Sequence, residues 1–214
     1  MNNMHLDHLS FAAGPEGLVG TSERLSDLLG APFHDGGFHP RFGTRNRILP
    51  LADGQYLEVV EVLDHPAAEK APFGQAVRAR SEMGGGWLGW VVAVDDLAPV
   101  EERIGRGAVE GSRNLPDGGR LEWQQIGVKG LQADPQLPFF VRWLSSRASH
   151  PSVGGKDIEL LKLEIAGDRD RVNDWLGGEA DKILHDVEIS WIAPNGQPGL
   201  VAAVFSTPNG EVRI

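Results

Sequence analysis

Two short runs carry side chains able to do chemistry: Leu6-Asp7-His8-Leu9-Ser10-Phe11 and Tyr56-Leu57-Glu58-Val59-Val60. In each, one strongly liganding group sits among apolar neighbours. Residues 6–12 alternate, with Leu6, His8, Ser10 and Ala12 on one face and Asp7, Leu9 and Phe11 on the other, which is the period of a strand. Residues 55–63 give the clearest strand pattern in the chain. If both strands share a sheet, His8 and Glu58 project into one concavity. An imidazole and a carboxylate converging there begin a divalent metal site. His39, in a stretch rich in Gly and His, is the third candidate ligand, because a loop there can fold over the pocket.

The elements that must hold these groups recur. Residues 1–64 read β-α-β-β-β: a strand at 6–12, a short helix at 21–30 stopped by Gly30, a strand-like run at 47–51, the turn Asp53-Gly54 and the strand at 55–63. Residues 65–86 form a helical linker, helical over 67–83 and ended by Gly84-Gly85-Gly86. Residues 87–150 repeat the order, with strands at 87–94, 120–128 and 137–144 and a helix at 98–104. Residues 156–214 begin it a third time as a partial module, with strands at 158–165, 187–192, 200–205 and 211–214 and a helix at 169–176. Three passes of about 60 residues each point to a duplicated module.

Bulk properties narrow the function classes. The chain has 214 residues and is 41% hydrophobic, with six Trp and eight Phe, enough for a substantial core. Its formal charge of -10, from 20 basic and 30 acidic residues, offers no basic excess to displace counterions, so nucleic acid and anionic membrane are not expected partners. There is no cysteine, which excludes thiolate nucleophiles and Cys-ligated zinc. Residues 1–5 lack a basic and apolar leader, and no run approaches the roughly 18 apolar residues of a membrane helix. The expectation is a cytoplasmic protein. No Gly-x-Ser-x-Gly elbow, Walker loop or His-Glu-x-x-His occurs, and Gly84-Gly85-Gly86 lacks a strand-turn-helix setting, so no nucleotide cofactor is expected.

The ordered set Asp7-His8-Leu9, His39 with Gly43-Thr44-x-Asn46, Tyr56-Leu57-Glu58, residues 137–143 with His150-Pro151, and Thr207-Pro208-x-Gly210-Glu211-Val212 resembles the glyoxalase-like branch of the vicinal oxygen chelate superfamily. The resemblance covers most of the chain. It implies an α+β fold of βαβββ modules whose strands form a curved, half-open mixed sheet around a pocket. In metal-dependent members each module offers one ligand from its first strand and one from its last. A divalent ion such as Zn, Ni, Mn or Fe then chelates two vicinal oxygens of the substrate. The superfamily includes lyases, isomerases, dioxygenases and proteins that bind small molecules without chemistry, so fold does not fix activity. A homodimer is also implied by the family.

The second module departs from this pattern. Matching Leu9 to Val91 sets Trp90 opposite His8, and matching Tyr56-Leu57-Glu58 to Phe140-Val141-Arg142 sets Arg142 opposite Glu58. A shift of one residue would put Val91 and Val141 there, which are no better as ligands. Three readings stand side by side: Glu58 and Arg142 as an ion pair on the pocket floor, a metal on His8, Glu58 and His39, and Glu58 as a general base with its pKa raised by burial. In the last reading, Arg142 stabilises an enolate or carboxylate. Asn46, Trp90, Trp123, Gln125 and His150 are candidates to contact a small-molecule ligand, because an aromatic wall with a few fixed polar groups is what such sites look like. The functional expectation is a glyoxalase-like enzyme; the alternative is a non-catalytic binding protein with a degenerate metal site.

Overall fold

The computed structural model describes residues 3–185, 187–192 and 198–214, so Met1 and Asn2 of the leader reading lie outside the described residues. The first module folds as β1 (Met4–Ala12), α1 (Gly17–Leu29), β2 (His34–His39), β3 (Thr44–Pro50) and β4 (Tyr56–Val62). Helix α1 starts earlier than expected, buries Leu18, Leu25 and Leu29, and stops at Gly30 in the left-handed region at φ 74°. The expected helix over 67–83 is two helices, α2 (Pro66–Lys70) and α3 (Pro72–Glu82). Pro72 has no N–H and forces Ala71 into an extended conformation, so the helix must restart there.

The second half supplies β5 (Gly86–Val94), α4 (Ala98–Ile104), β6 (Val109–Asn114), β7 (Arg120–Ile126), the single turn α5 (Gly130–Ala133) and β8 (Phe139–Trp143). These strands continue the sheet in the order β1-β4-β3-β2-β6-β7-β8-β5, and β5 returns to pair with β1. The expected curved mixed sheet is thus wrapped into a barrel of two like halves. One half pairs its first and last strands in parallel as His8 with Tyr56 and Ser10 with Glu58. The other pairs Val91 with Phe139 and Ala93 with Val141. The seam between β2 and β6 holds through one bridge, Phe38 with Asn114. A Cβ on Gly37 would fall 1.9 Å from the Asn114 carbonyl oxygen, so this close approach requires glycine.

The remaining chain forms a separate four-stranded sheet from β9 (Glu159–Ala166), α6 (Arg169–Leu176), α7 (Ala180–Ile183), β10 (Glu188–Ile192), β11 (Gly199–Thr207) and β12 (Gly210–Arg213). Its order is β10-β9-β11-β12, with β9 parallel to the next strand and antiparallel to β11. In the barrel halves the first strand pairs instead with the last.

Side-chain alternation divides the core in two. Ala12, Val60, Val91, Ala93, Phe139 and Val141 point into the barrel and meet Phe73 and Val77 of α3. Leu9, Phe11, Trp90 and Val92 point outward, where they pack against Leu25, Leu163, Ile165, Val172 and Phe205. Among the described residues no helix is long and apolar enough to cross a membrane.

Candidate functional site

A narrow cavity of about 30 Å³ lies inside the barrel, room for only a few water molecules. Strands β1 and β4 place His8 and Glu58 on its wall together with Tyr56. The His8 ring stacks on Tyr56, with centroids 4.3 Å apart and planes 16° apart. Glu58 is buried with both oxygens bonded: the Ser10 hydroxyl donates to Oε1 at 2.6 Å and the Asn46 amide to Oε2 at 2.7 Å. Burial pushes the Glu58 pKa up, but His8, His39 and the two hydrogen bonds outweigh it and hold the carboxyl below its ordinary range. Glu58 is therefore ionised at neutral pH. The expectation of a raised pKa is corrected here, because burial comes with charge partners.

His8 stands between two carboxylates. Its Nδ1–H donates to Asp7 Oδ2 at 2.7 Å, and its Nε2 faces Glu58 Oε1 at 3.8 Å, too far for a direct hydrogen bond. Asp7 is fully buried and also accepts from Trp143 Nε1 at 3.0 Å and His150 Nε2 at 3.1 Å. Burial alone would raise its pKa, yet the bonds from His150 and His8 hold it far below the usual carboxylate range. An anion accepting from Nδ1 fixes the tautomer of His8, which leaves the Nε2 lone pair free toward the cavity. Period-two alternation assigns Asp7 to the opposite face. A register shift between Leu6 and His8 in the β1–β5 ladder breaks that alternation and brings Asp7 beside His8.

His39 reaches the same cavity with Nδ1 held by the Thr44 hydroxyl at 2.8 Å. Burial pushes its pKa down to about 4, against a partial upward pull from Glu58. Asn46, Trp123 and Gln125 also line the cavity, and Trp123 Nε1 donates to Gln125 Oε1 at 2.7 Å. Phe42, Phe73 and Phe139 complete an aromatic wall.

The sequence model of the glyoxalase-like domain matches residues 6–178. The chain belongs to the glyoxalase-like family. No curated protein sequence matches this glyoxalase-like protein. Among solved structures, a hypothetical protein from Staphylococcus aureus aligns over 99% of this chain and 85% of its own, with a TM-score of 0.61 and 17% identity. Methylmalonyl-CoA epimerase from Mycobacterium tuberculosis aligns over 64% of this chain and 85% of its own, with a TM-score of 0.42 and 17% identity. The fold is that of the vicinal oxygen chelate superfamily.

Not every residue singled out in the sequence of this glyoxalase-like protein meets in the cavity. Trp90 is fully buried on the outer face of β5, where its Nε1 donates to the Gln136 carbonyl at 3.0 Å. Arg142 is exposed; its Nε donates to the Asp95 carbonyl at 3.0 Å and its Nη1 to Gln124 at 3.3 Å. The expected Glu58–Arg142 pair on the pocket floor is therefore corrected. Both misplacements come from matching the halves one residue out of phase, which turns a side chain to the opposite face. The counterparts of His8 and Glu58 are Val91 and Val141, as the matching strand pairs establish. His150 lies at the far side of Asp7 and lines an outer groove rather than the cavity.

This donor set does not fit a divalent ion. Two of the four family positions are valines, Val91 and Val141, which offer no donor atom. Among the described residues no three His, Asp or Glu groups are arranged to hold a metal.

The sequence reading missed Arg113. Strand β6 carries it to the cavity wall, 5% exposed, with its Nε buried and lacking any hydrogen-bond partner. Burial lowers its pKa from the ordinary guanidinium value, while Tyr56, Glu58 and Asp35 oppose that shift. The run Val109-Glu110-Gly111-Ser112-Arg113-Asn114 has too few apolar residues to show a strand period.

Proposed function

We propose that this protein is an enzyme that moves a proton on a small carbonyl compound, with His8 as the base. The supporting observation is the buried Asp7–His8–Glu58 arrangement opening on an aromatic cavity. Two ionised carboxylates in a barrel interior are costly to bury, and a site that only packs a ligand has no need of them. Chemistry gives them a use. Asp7 holds His8 with Nε2 toward the substrate. That lone pair takes a proton from the carbon next to the carbonyl, and the C–H electron pair moves into the enolate. The imidazolium so formed lies between Asp7 and Glu58 and is stabilised by both. Delivery of a proton to the opposite face of that carbon completes an epimerisation; delivery to the neighbouring carbon, as an adjacent hydroxyl proton passes to the former carbonyl oxygen, completes an isomerisation.

Glu58 is a poorer base, since a catalytic base works best with a pKa near the working pH and Glu58 is held below its ordinary range. Its role is electrostatic, with Ser10 and Asn46 keeping it in place. The test is proton exchange in D2O, followed by NMR, over small 2-oxo acids, hydroxyketones and aldehydes. Wild type should exchange the C–H beside the carbonyl of a compound that it binds. His8→Gln should slow this at least about 100-fold and Glu58→Gln substantially. A compound that binds tightly yet never exchanges would favour the non-catalytic alternative and sink this reading.

A further inference from the structure

We infer that the cavity contains an anion subsite at Arg113 and that its ligand is a small, planar monocarboxylate of the 2-oxo acid type. This deepens the proposed function and rests on it for the enolisable carbon, while the anion subsite stands on separate observations. Arg113 is buried on the cavity wall with an unpartnered Nε, and among the described residues it forms no ion pair. A guanidinium presents a fork of donors that matches a carboxylate, and leaving it buried and unpaired is unfavourable. The carboxylates acting on it, Glu58 and Asp35, do so only at a distance. Glu58 itself is committed to Ser10 and Asn46. The missing partner is therefore supplied from outside the chain.

The rest of the ligand follows from the wall. Phe73, Trp123, Phe139 and Val141 face the cavity where the second half of the barrel has lost its ligand positions. They offer flat apolar surface and no hydrogen-bond donor for a long polar group. The narrowness of the cavity excludes bulky substituents. A carboxylate on Arg113, a carbonyl beside it and a short apolar remainder against these rings fits all of this. The carbon next to the carbonyl then lies toward His8.

Binding is read by tryptophan fluorescence, since Trp123 forms part of the wall. The probes are pyruvate and 2-oxobutyrate, each beside its uncharged methyl ester. The acids should bind at least about 30-fold more tightly than their esters. Arg113→Met should remove that preference by weakening the acids alone, and Arg113→Lys should keep part of it. Arg113→Met removes a buried unpaired charge, so it should fold at least as stably as wild type. Esters that bind as well as acids, acids that do not bind, or acid affinity unchanged in Arg113→Met would each overturn the subsite. The two readings separate. Acids that bind through Arg113 without C–H exchange support the subsite while removing the proton chemistry. Exchange on uncharged compounds that ignores Arg113→Met does the reverse.

Discussion

His39 shows what a single buried group does to the whole chain. Its ring is buried, and that burial pushes its pKa from 6.5 down to about 4. In the unfolded chain it takes its proton near the ordinary value. Between those two values the unfolded state binds more protons than the folded state, so stability rises with pH across that window. The contribution is intact at pH 7, shrinks as pH falls below 6.5 and is lost by about 4. Its size is about 3 kcal/mol. Asp7 and Glu58 act lower on the scale. Their folded pKa values are depressed, so their contributions hold above the ordinary carboxylate range and are lost as pH falls beneath it. Urea unfolding at about pH 7 and pH 4.5 should show the His39 slope in wild type and a much flatter one in His39→Gln. Equal slopes would refute it. At this scale the sequence was partly legible. His8 and Glu58 stand out because polar groups that strong are rare inside apolar strands. The partnership of Asp7 depends on a bulge, and a bulge leaves no mark in a period-two pattern.

Elements were more legible than the way they pack. Most strands and the helix stops follow from alternation, Gly and Pro, whereas β6 does not, and Arg113 was lost with it. The phase between the two halves was also hidden, because both Trp90 and Val91 suit a strand buried on both faces. Packing can reverse what propensity alone suggests, and Gly74 in α3 is a case. Ala is favoured over Gly in a helix by about 1 kcal/mol, so propensity recommends Gly74→Ala. In place, a Cβ there would stand 2.4 Å from the Phe42 carbonyl oxygen and 2.7 Å from Ala68 Cα. These are backbone atoms, which cannot swing aside. Overpacking of that kind costs about 1–3 kcal/mol or more, so the clash wins. Gly74→Ala should melt several degrees below wild type and, because α3 carries Phe73, should weaken ligand binding too. A higher melting temperature would show that α3 slides without cost.

At the scale of the molecule the question is whether the barrel and the second sheet unfold separately. Interfaces between independent domains are usually modest and polar. The contact here is apolar: Trp90 and Val92 of the barrel share one core with Leu163, Ile165 and Phe205 of the second sheet. Hydrogen bonds cross it as well. Trp87 Nε1 donates to the Ile214 carbonyl at 3.0 Å, Trp175 Nε1 to the Pro138 carbonyl at 2.7 Å and the Asp168 amide to Gln136 Oε1 at 2.7 Å. The family match also runs past the barrel to residue 178, within the third unit. A shared core of this kind couples the units, and the whole chain should unfold in one calorimetric transition. Phe205, fully buried on β11, makes the test sharper. If the units are coupled, Phe205→Ala, which costs about 3–5 kcal/mol for a filled core position, lowers the single transition without splitting it. Barrel tryptophan fluorescence then shifts together with the far-ultraviolet circular dichroism. If the units are independent, the second sheet melts early and the barrel signal stays at its wild-type temperature, which would assign the third unit to a domain of its own.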